Sequence, residues 1–191
     1  TIGTITDVMP LLGPNRSLVK FGLQHLAKTR RVGLLALYQS AGIEPKNLGT
    51  YGIGFLIGPR LNASGRMANP LDSLRLICTR DKARALDLAQ KISVNNKERQ
   101  ELTKQTIIHA RQLWLKQDGK SALIFVNDES YKQGVIGLVA RQLKDEFYRP
   151  AVVLARQKDY WVASARSIEE FNIVEAIRTC AGILGPHGGH R

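Results

Sequence analysis

Residues 121–155, SALIFVNDESYKQGVIGLVARQLKDEFYRPAVVLA, decide the fold of this chain. The stretch begins and ends with short apolar runs, at 121–126 and 151–155, that are typical of buried strands. Residues 134–147 between them carry apolar side chains at helical spacing. Because two strands joined through a helix usually lie parallel in one sheet, this pattern predicts a parallel βαβ unit.

The segments on either side extend this unit. WVAS at 161–164 predicts a third strand, and Phe171–Gly182 predicts a final helix. Upstream, apolar residues recur at close to helical spacing from 81 to about 116, which predicts one helix about 50 Å long. Its polar middle at Asn95-Asn96 interrupts the apolar face and indicates a helix that connects two domains.

The first 80 residues contain shorter elements. Thr1–Ile5 is rich in β-branched residues and predicts the end of a strand. The glycine-rich segment Leu48–Ala68 is predicted to be mostly loop. Caps and breakers, among them Asn15, Gly42 and Pro70, predict three helices, at Arg16–Lys28, Val32–Ala41 and Leu71–Cys78.

Composition limits the classes of function. The 191 residues include 28 Lys and Arg against 16 Asp and Glu, a formal net charge of +12. The cations are spread along the chain and favour a polyanionic partner, either nucleic acid or an acidic membrane surface; a merely basic protein is the alternative. No apolar run approaches the roughly 20 residues that span a bilayer. Cys78 and Cys180 stand in apolar surroundings, which predicts small buried side chains in the reducing cytoplasm.

The first candidate site is IGPRLNASGR at 57–66. Its glycines permit tight turns, and the predicted loop would present Arg60, Asn62 and Arg66 at fixed positions. Guanidinium suits phosphate because its planar fork donates two parallel hydrogen bonds and keeps its charge. The alternative is a surface ion pair between one arginine and a nearby aspartate.

Three further candidates are associated with predicted strands. Asp7 comes just after the strand predicted at the N-terminus, where α/β folds place ligands, and would bind a divalent metal ion or cap a turn. Gly134 lies at a strand-to-helix turn, where free N–H groups can face an anion, although many such turns bind nothing. SARS at 164–167 offers one guanidinium and two hydroxyls to an anion, or forms an ordinary surface turn.

The C-terminal sequence GPHGGHR at 185–191 is the last candidate. Its glycines let backbone N–H groups approach a phosphate, and His187 and His190 can donate hydrogen bonds to it. The two histidines also have a spacing found in zinc sites, but no cysteine or carboxylate nearby completes a set. The alternative is a flexible glycine tail.

Taken in order, these segments resemble the RecJ family of DHH phosphoesterases. The matching segments are residues 4–23, 57–66, 88–100, 131–155, 162–167 and 185–190. The first three resemble the fourth DHH motif, the family's GPR-[LI]-NA-[AS]-GR element and its connecting helix. The last three resemble successive motifs of the DHH-associated domain. Six matches in the right order cover nearly the whole chain.

The resemblance implies an α/β fold in which the end of a DHH domain is joined by a long helix to a smaller α/β DHH-associated domain with a mixed sheet. The corresponding ranges are 1–80, 81–117 and 118–191. The family's first three motifs, including Asp-His-His, are expected before Thr1, and the Ala-Ala-Gly of the last motif after Arg191. We therefore expect a fragment of a longer protein.

The resemblance also implies a cytoplasmic nuclease that degrades single-stranded DNA from the 5′ end, uses Mn²⁺ or Mg²⁺ and serves DNA repair and recombination. Asp7 would be a metal ligand, and the catalytic residues would be Asp7, Arg60, Arg66 and His190. The phosphate-binding residues would be Arg60, Asn62, Arg66, Gly134, Ser164, Arg166, Ser167, Gly188, Gly189 and His190. With the other metal ligands upstream, the fragment alone is expected to be inactive.

The sequence departs from the family pattern in three places. Lys132-Gln133 stands where the family usually has His-Pro, Arg141-Gln142 where it has Ser-Arg, and Ala165 where it has glycine. Two alternatives stay open beside the nuclease: a DHH phosphodiesterase of small nucleotides or oligoribonucleotides, and a binding module without metals. For the nuclease, we expect arginines from both domains to line a narrow slot that admits one DNA strand.

Overall fold

The structure, a computed structural model, describes residues 1–117 and 120–189. They form two compact units, Thr1–Arg99 and Gln100–Arg191. The first unit is built from helices: α1 (Ile2–Thr6), α2 (Gly13–Ala27), α3 (Val32–Ala41), a 3₁₀ turn (Pro45–Asn47), a π-helix (Gly52–Ile57), α4 (Gly58–Met67), α5 (Leu71–Cys78) and the first part of α6 (Lys82–Lys116).

The N-terminal segment is a helix, and the predicted strand end is wrong. Ile2 and Ile5 are three residues apart, so a helix brings both onto one face, where they pack against the core of the first unit. This packing outweighs the weak β preference of the branched side chains. Helix α2 also begins earlier than predicted, at Gly13, and Asn15 lies in its first turn, where Nδ2 donates to the Pro10 carbonyl at 3.1 Å.

The segment predicted to be loop, Leu48–Ala68, is mostly helical. Gly58 has a helical φ of −56°, so the glycine at this position is not needed for a tight turn. A Cβ added there would lie 2.3 Å from Thr6 Cγ2, and the bare backbone lets α4 begin directly against the end of α1. The glycine therefore serves close packing between helices.

The core of the first unit is formed by α3, the π-helix, α5 and α6. Its fully buried side chains include Leu37, Ile53, Ile57, Leu76 and Ile92. The predicted helices Val32–Ala41 and Leu71–Cys78 are confirmed, and Gly42 closes the first of them in the left-handed region at φ 67°.

The long helix α6 is confirmed at 35 residues. The side chain of Asp81 caps it, because Oδ1 accepts a hydrogen bond from the Arg84 N–H at 3.1 Å. Helix α5 is attached to it through the buried Asp72, which lies 2.7 Å from Lys91 Nζ and 3.2 Å from Arg75 Nη1. The Lys91 hydrogen bond, partly opposed by burial, lowers the pKa of Asp72.

The second unit combines the end of α6 with a three-stranded sheet. Its further elements are β1 (Ile124–Asp128), α7 (Gln133–Phe147), β2 (Ala151–Gln157), β3 (Tyr160–Arg166) and α8 (Ile173–Thr179). Strand β1 pairs parallel with β2, and β3 pairs antiparallel with β2. The predicted βαβ unit and mixed sheet are therefore confirmed.

Several details differ from the predictions. Strand β1 starts at Ile124, so residues 121–123 of the predicted strand lie outside the sheet. Helix α8 is shorter than the predicted Phe171–Gly182. Cys78 and Cys180 are exposed, so the prediction that both are buried is wrong. Cys78 is the last residue of α5 and lies on its exposed side, and Cys180 comes directly after the end of α8. Among the described residues, no helix is long and apolar enough to cross a membrane.

Candidate nucleic-acid interface

Helix α4 separates the three polar residues of the first candidate. Asn62 and Arg66 are four residues apart, and both are exposed on one face of the helix. Arg60 lies on the same side as the buried Ala63 and Ser64. Asn62 and Arg66 therefore point outwards, while Arg60 is turned towards the protein. All three are presented by a helix and not, as predicted, by a loop.

The guanidinium of Arg60 is half buried. Its Nη1 donates to the Leu56 carbonyl at 2.8 Å, while its buried Nε has no hydrogen-bond partner among the described residues. Burial lowers the pKa of Arg60. A buried cation with an unused donor is costly unless an acceptor completes its hydrogen bonds, and a phosphate oxygen would be such an acceptor.

Sequence reasoning missed Arg99 as a member of this site. Burial and the positive charge of Arg66 both lower the pKa of Arg99, so the two guanidinium groups lie close enough to repel each other. Asn96 holds Arg99 in place, because its Oδ1 accepts from Nη2 at 3.1 Å and from Nε at 3.4 Å. Two neighbouring cations on one unit form a surface suited to an anion. The only sequence signal was the matching segment 88–100.

Asp7 caps the C-terminus of α1 and is exposed. It follows a helix, so the argument that placed it at the carboxyl edge of a sheet is wrong. Its neighbour Thr6 is the residue that contacts Gly58, which places Asp7 beside the start of α4. An exposed carboxylate is a suitable oxygen ligand for Mn²⁺ or Mg²⁺. The described residues contain no group of three possible metal ligands, so they do not form a complete metal site by themselves.

In the second unit, Ser164 and Arg166 lie two residues apart on β3 and therefore share one face of the sheet. The opposing element is α7, and a Cβ added at Gly137 would lie 3.0 Å from Ser164 Oγ and 3.3 Å from Arg166 Nη2. The glycine lets the helix approach these side chains. Arg166 Nη1 also donates to the Ala165 carbonyl at 2.7 Å, which orients the guanidinium.

Gly137 was not among the predicted site residues. The predicted residue Gly134 lies in the first turn of α7, one turn before Gly137. The turn that leads into α7 is held by a polar cluster. His109 Nδ1 and the Tyr131 hydroxyl share a hydrogen bond of 3.1 Å, and Asp128 accepts two hydrogen bonds from Ser130, which lower the pKa of Asp128.

A cleft of about 570 Å³, here called the β3–α8 cleft, opens beside Arg166. Its lining includes Arg166, Ser167, Ile168, Glu169, Phe171 and Asn172. Ser167 was predicted to contact phosphate, but its Oγ donates to the Phe171 carbonyl at 2.5 Å. It therefore fixes the wall of the cleft.

The C-terminal glycines lie near the same helix as the cleft. A Cβ at Gly189 would lie 3.6 Å from Val174 of α8, next in sequence to the cleft residue Ile173. Gly188 has open space around it. His187 shares a hydrogen bond of 2.9 Å with the Gly185 carbonyl. The predicted catalytic residue His190 lies outside the described residues.

Comparison with known proteins decides the family. A DHHA1 domain model matches residues 118–191. The chain is 37% identical over 191 residues to the single-stranded-DNA-specific exonuclease RecJ of Bacillus subtilis, covering 99% of this chain and 24% of that protein. It is 34% identical over 190 residues to the RecJ of Thermus thermophilus, covering 100% of this chain and 27% of that protein. The chain belongs to the RecJ family. It spans about a quarter of the length of these two curated relatives.

Solved RecJ structures agree with this assignment. The chain matches RecJ of Thermus thermophilus in complex with Mn²⁺ with a TM-score of 0.87 at 33% identity, over 99% of this chain and 28% of that one. It matches an exonuclease RecJ bound to manganese with a TM-score of 0.82 at 33% identity, over 100% of this chain and 47% of that one. The mixed α/β fold with a long helix before a small sheet is thus a RecJ fold.

Proposed function

We propose that the chain is part of a metal-dependent exonuclease that hydrolyses phosphodiester bonds of single-stranded DNA in the 5′→3′ direction. The observation that carries the proposal is the packing of Ser164 and Arg166 over Gly137, which presents a hydroxyl and a guanidinium together on one face of β3. The activity named for the relatives supports the choice of substrate. We further propose a cytoplasmic location and a role in DNA repair and recombination.

In the first unit, Arg60, Asn62 and Arg66 bind phosphates of the strand, with Arg99 as an additional cation. Guanidinium groups form two parallel hydrogen bonds to phosphate and offset the negative charge that builds up as the bond breaks. The half-buried Arg60 provides the unused Nε–H donor, and the exposed Arg66 provides the outer contact. We assign catalytic roles to Arg60 and Arg66 on this basis.

Asp7 supplies one ligand to Mn²⁺ or Mg²⁺. When bound, such an ion polarises the phosphate and lowers the pKa of a water molecule. The exposed carboxylate at the end of α1 fits a hard divalent ion as one oxygen donor. The packing of Thr6 on Gly58 sets the end of α1, where Asp7 lies, against the start of α4, which carries Arg60 and Arg66.

In the second unit, Ser164 and Arg166 hold a phosphate, and Ser167 positions the loop beside it. The backbone N–H groups near Gly134, Gly188 and Gly189 are further donors, and we assign His190 a catalytic role from the resemblance alone. Hydroxyl and guanidinium donors to phosphate fix the position of a strand without reading its sequence.

The test is binding of a 5′-phosphorylated single strand, its duplex and a cyclic dinucleotide to the 191-residue chain and to its Arg166→Ala variant. We expect the single strand to bind best and the variant to weaken it. Tightest binding of the dinucleotide would instead support a phosphodiesterase of small nucleotides. We expect little hydrolysis with Mn²⁺, because one carboxylate does not hold a metal pair; rapid hydrolysis by this chain would contradict the assignment of Asp7.

A further inference from the structure

The β3–α8 cleft has the size of a small-molecule site. Its volume of about 570 Å³ lies within the range of pockets that bind drug-sized ligands. Arg166 lies at this cleft and also against Gly137 of α7, so the candidate phosphate contact and the cleft share one side chain. A ligand whose phosphate is bound by Arg166 therefore has adjoining space for a further group.

The wall of the cleft is held in place from two sides. Within the loop between β3 and α8, Ser167, directly after the end of β3, donates a hydrogen bond from Oγ to the Phe171 carbonyl. It is fastened to the end of α7 by the Tyr148 hydroxyl, which lies 2.8 and 3.1 Å from the two carboxylate oxygens of Glu170. A wall that is already ordered loses little conformational entropy when a ligand binds.

The lining selects the chemistry of the ligand. Phe171 is 42% exposed, so part of its ring is available for stacking. Asn172 uses Oδ1 to cap the Glu175 N–H at 3.3 Å, which turns this oxygen away from a ligand and leaves the amide NH₂ as the donor. Glu169 is an anion in the same lining and disfavours a second negative charge. The fitting ligand has one anionic group, at Arg166, and a neutral planar part.

We propose that the β3–α8 cleft binds the nucleoside attached to the phosphate held by Arg166, with its base against Phe171. The inference rests on the proposed function and adds a subsite for the base to it. Stacking on an aromatic ring accepts every base because each base has a π-face, so this subsite adds affinity without sequence preference.

The test compares dAMP with 2-deoxyribose 5-phosphate, which keeps the phosphate and sugar but lacks the base. Chemical-shift titration of the 191-residue chain follows affinities into the millimolar range. We expect dAMP to bind about tenfold more tightly. Phe171→Leu should reduce the affinity for dAMP to that for 2-deoxyribose 5-phosphate and leave the latter unchanged, while Phe171→Tyr should restore the preference.

The control is Tyr160→Leu, which removes an aromatic ring that is 62% exposed on β3 and is not part of the cleft lining. It should leave both affinities unchanged. Equal affinities of the two phosphates for the unaltered chain, both lowered by Arg166→Ala, would overturn the base subsite and keep the phosphate contact. If neither phosphate binds, or if Arg166→Ala changes nothing, the phosphate contact itself is wrong and the subsite falls with it.

Discussion

Gly137 of α7 lies directly against Ser164 of β3, so that a Cβ at position 137 would come within 3.0 Å of the serine Oγ. The same Cβ would lie 3.3 Å from Arg166 Nη2. Because Gly137 has no side chain, α7 can lie close to the Ser164 and Arg166 side chains on β3. Helix packing and the geometry of the candidate phosphate contact depend on one residue.

Substituting Gly137 with alanine tests this dependence. Ser164 and Arg166 must move by a few tenths of an ångström, and we expect the affinity for a 5′-phosphorylated single strand to fall severalfold. Stability should change little, because alanine is favoured in a helix by about 1 kcal/mol, which offsets the crowding. Fluorescence anisotropy measures the affinity. The control is Gly182→Ala, where a Cβ meets nothing within 4 Å; equal affinities of both variants would contradict the role of the Gly137 contact.

Gly33→Ala should destabilise the first unit. A Cβ there would lie 1.8 Å from the backbone carbonyl oxygen of Leu76, so α3 and α5 must move apart. We expect a loss of about 2–3 kcal/mol in the free energy of unfolding, as is typical of an overpacked core. Urea denaturation measures it. Gly3→Ala, in an exposed turn of α1 with open space around it, should instead stabilise by about 0.5–1 kcal/mol.

The elements that were predicted correctly have a strong local signal. Helix α6 shows its apolar period over many turns, and β1, α7 and β2 follow one another with the lengths of a βαβ unit. The segment around Gly58 could not be predicted in this way, because its glycines resemble those of a loop. The reason for a glycine at position 58 is the contact with Thr6, a residue more than fifty positions away, which no local pattern contains.

The candidate site shows the same division. The sequence SARS at 164–167 could be recognised as a candidate because it places one guanidinium and two hydroxyls at the end of a predicted strand. Arg99 could not be predicted, because within α6 it looks like any other surface cation. It becomes a candidate because burial and the positive charge of Arg66 both lower its pKa. Gly137 gives no turn signal in the middle of an amphipathic helix, and only the approach of β3 explains it.

Arg66→Ala and Arg99→Ala should each weaken binding of single-stranded DNA and reduce its dependence on salt. Each lost phosphate contact lowers the slope of log affinity against log salt by about 0.7 for a single strand. If both cations hold the same phosphate, the double variant loses less than the sum of the single losses. Lys46→Ala is the control, because Lys46 is exposed and paired with Glu44 at 3.1 Å; an unchanged slope for Arg66→Ala would show that it does not contact phosphate.

Lys91→Met should lower stability at neutral pH and make stability less dependent on pH in the acid range. The Lys91 hydrogen bond holds the pKa of Asp72 below its ordinary value of 3.8, so its contribution to stability is complete above 3.8 and is lost as pH falls through the lower folded value. Without Lys91, the folded pKa of Asp72 moves back towards 3.8, so this contribution is smaller and less stability is lost as pH falls. At pH 7 we expect a cost of about 2 kcal/mol for the hydrogen bond to a buried charge. Thermal unfolding from pH 2 to pH 7 measures both effects, and Lys46→Met, at an exposed ion pair, should cost less than about 1 kcal/mol.

Tyr38→Phe should stabilise the chain, and Tyr131→Phe should destabilise it. Both rings are buried, and burial raises the pKa of each hydroxyl to about 12. The Tyr38 hydroxyl has no hydrogen-bond partner among the described residues, whereas that of Tyr131 bonds to His109. Removing an unsatisfied buried hydroxyl relieves a cost of about 1 kcal/mol, and removing a bonded one loses a similar amount.

Both phenylalanine variants should also differ from the unaltered chain at alkaline pH. When the folded pKa of a tyrosine is raised from 10.0 to about 12, the unfolded chain ionises first, so the folded chain loses stability as pH rises from 10.0 towards 12. Each phenylalanine variant lacks one such group, so its stability should fall less steeply between pH 10 and 12 than that of the unaltered chain. Urea denaturation at pH 7, 10 and 11 measures the difference. A loss of stability in Tyr38→Phe at pH 7 would contradict this prediction, because it would mean that the Tyr38 hydroxyl forms a stabilising hydrogen bond.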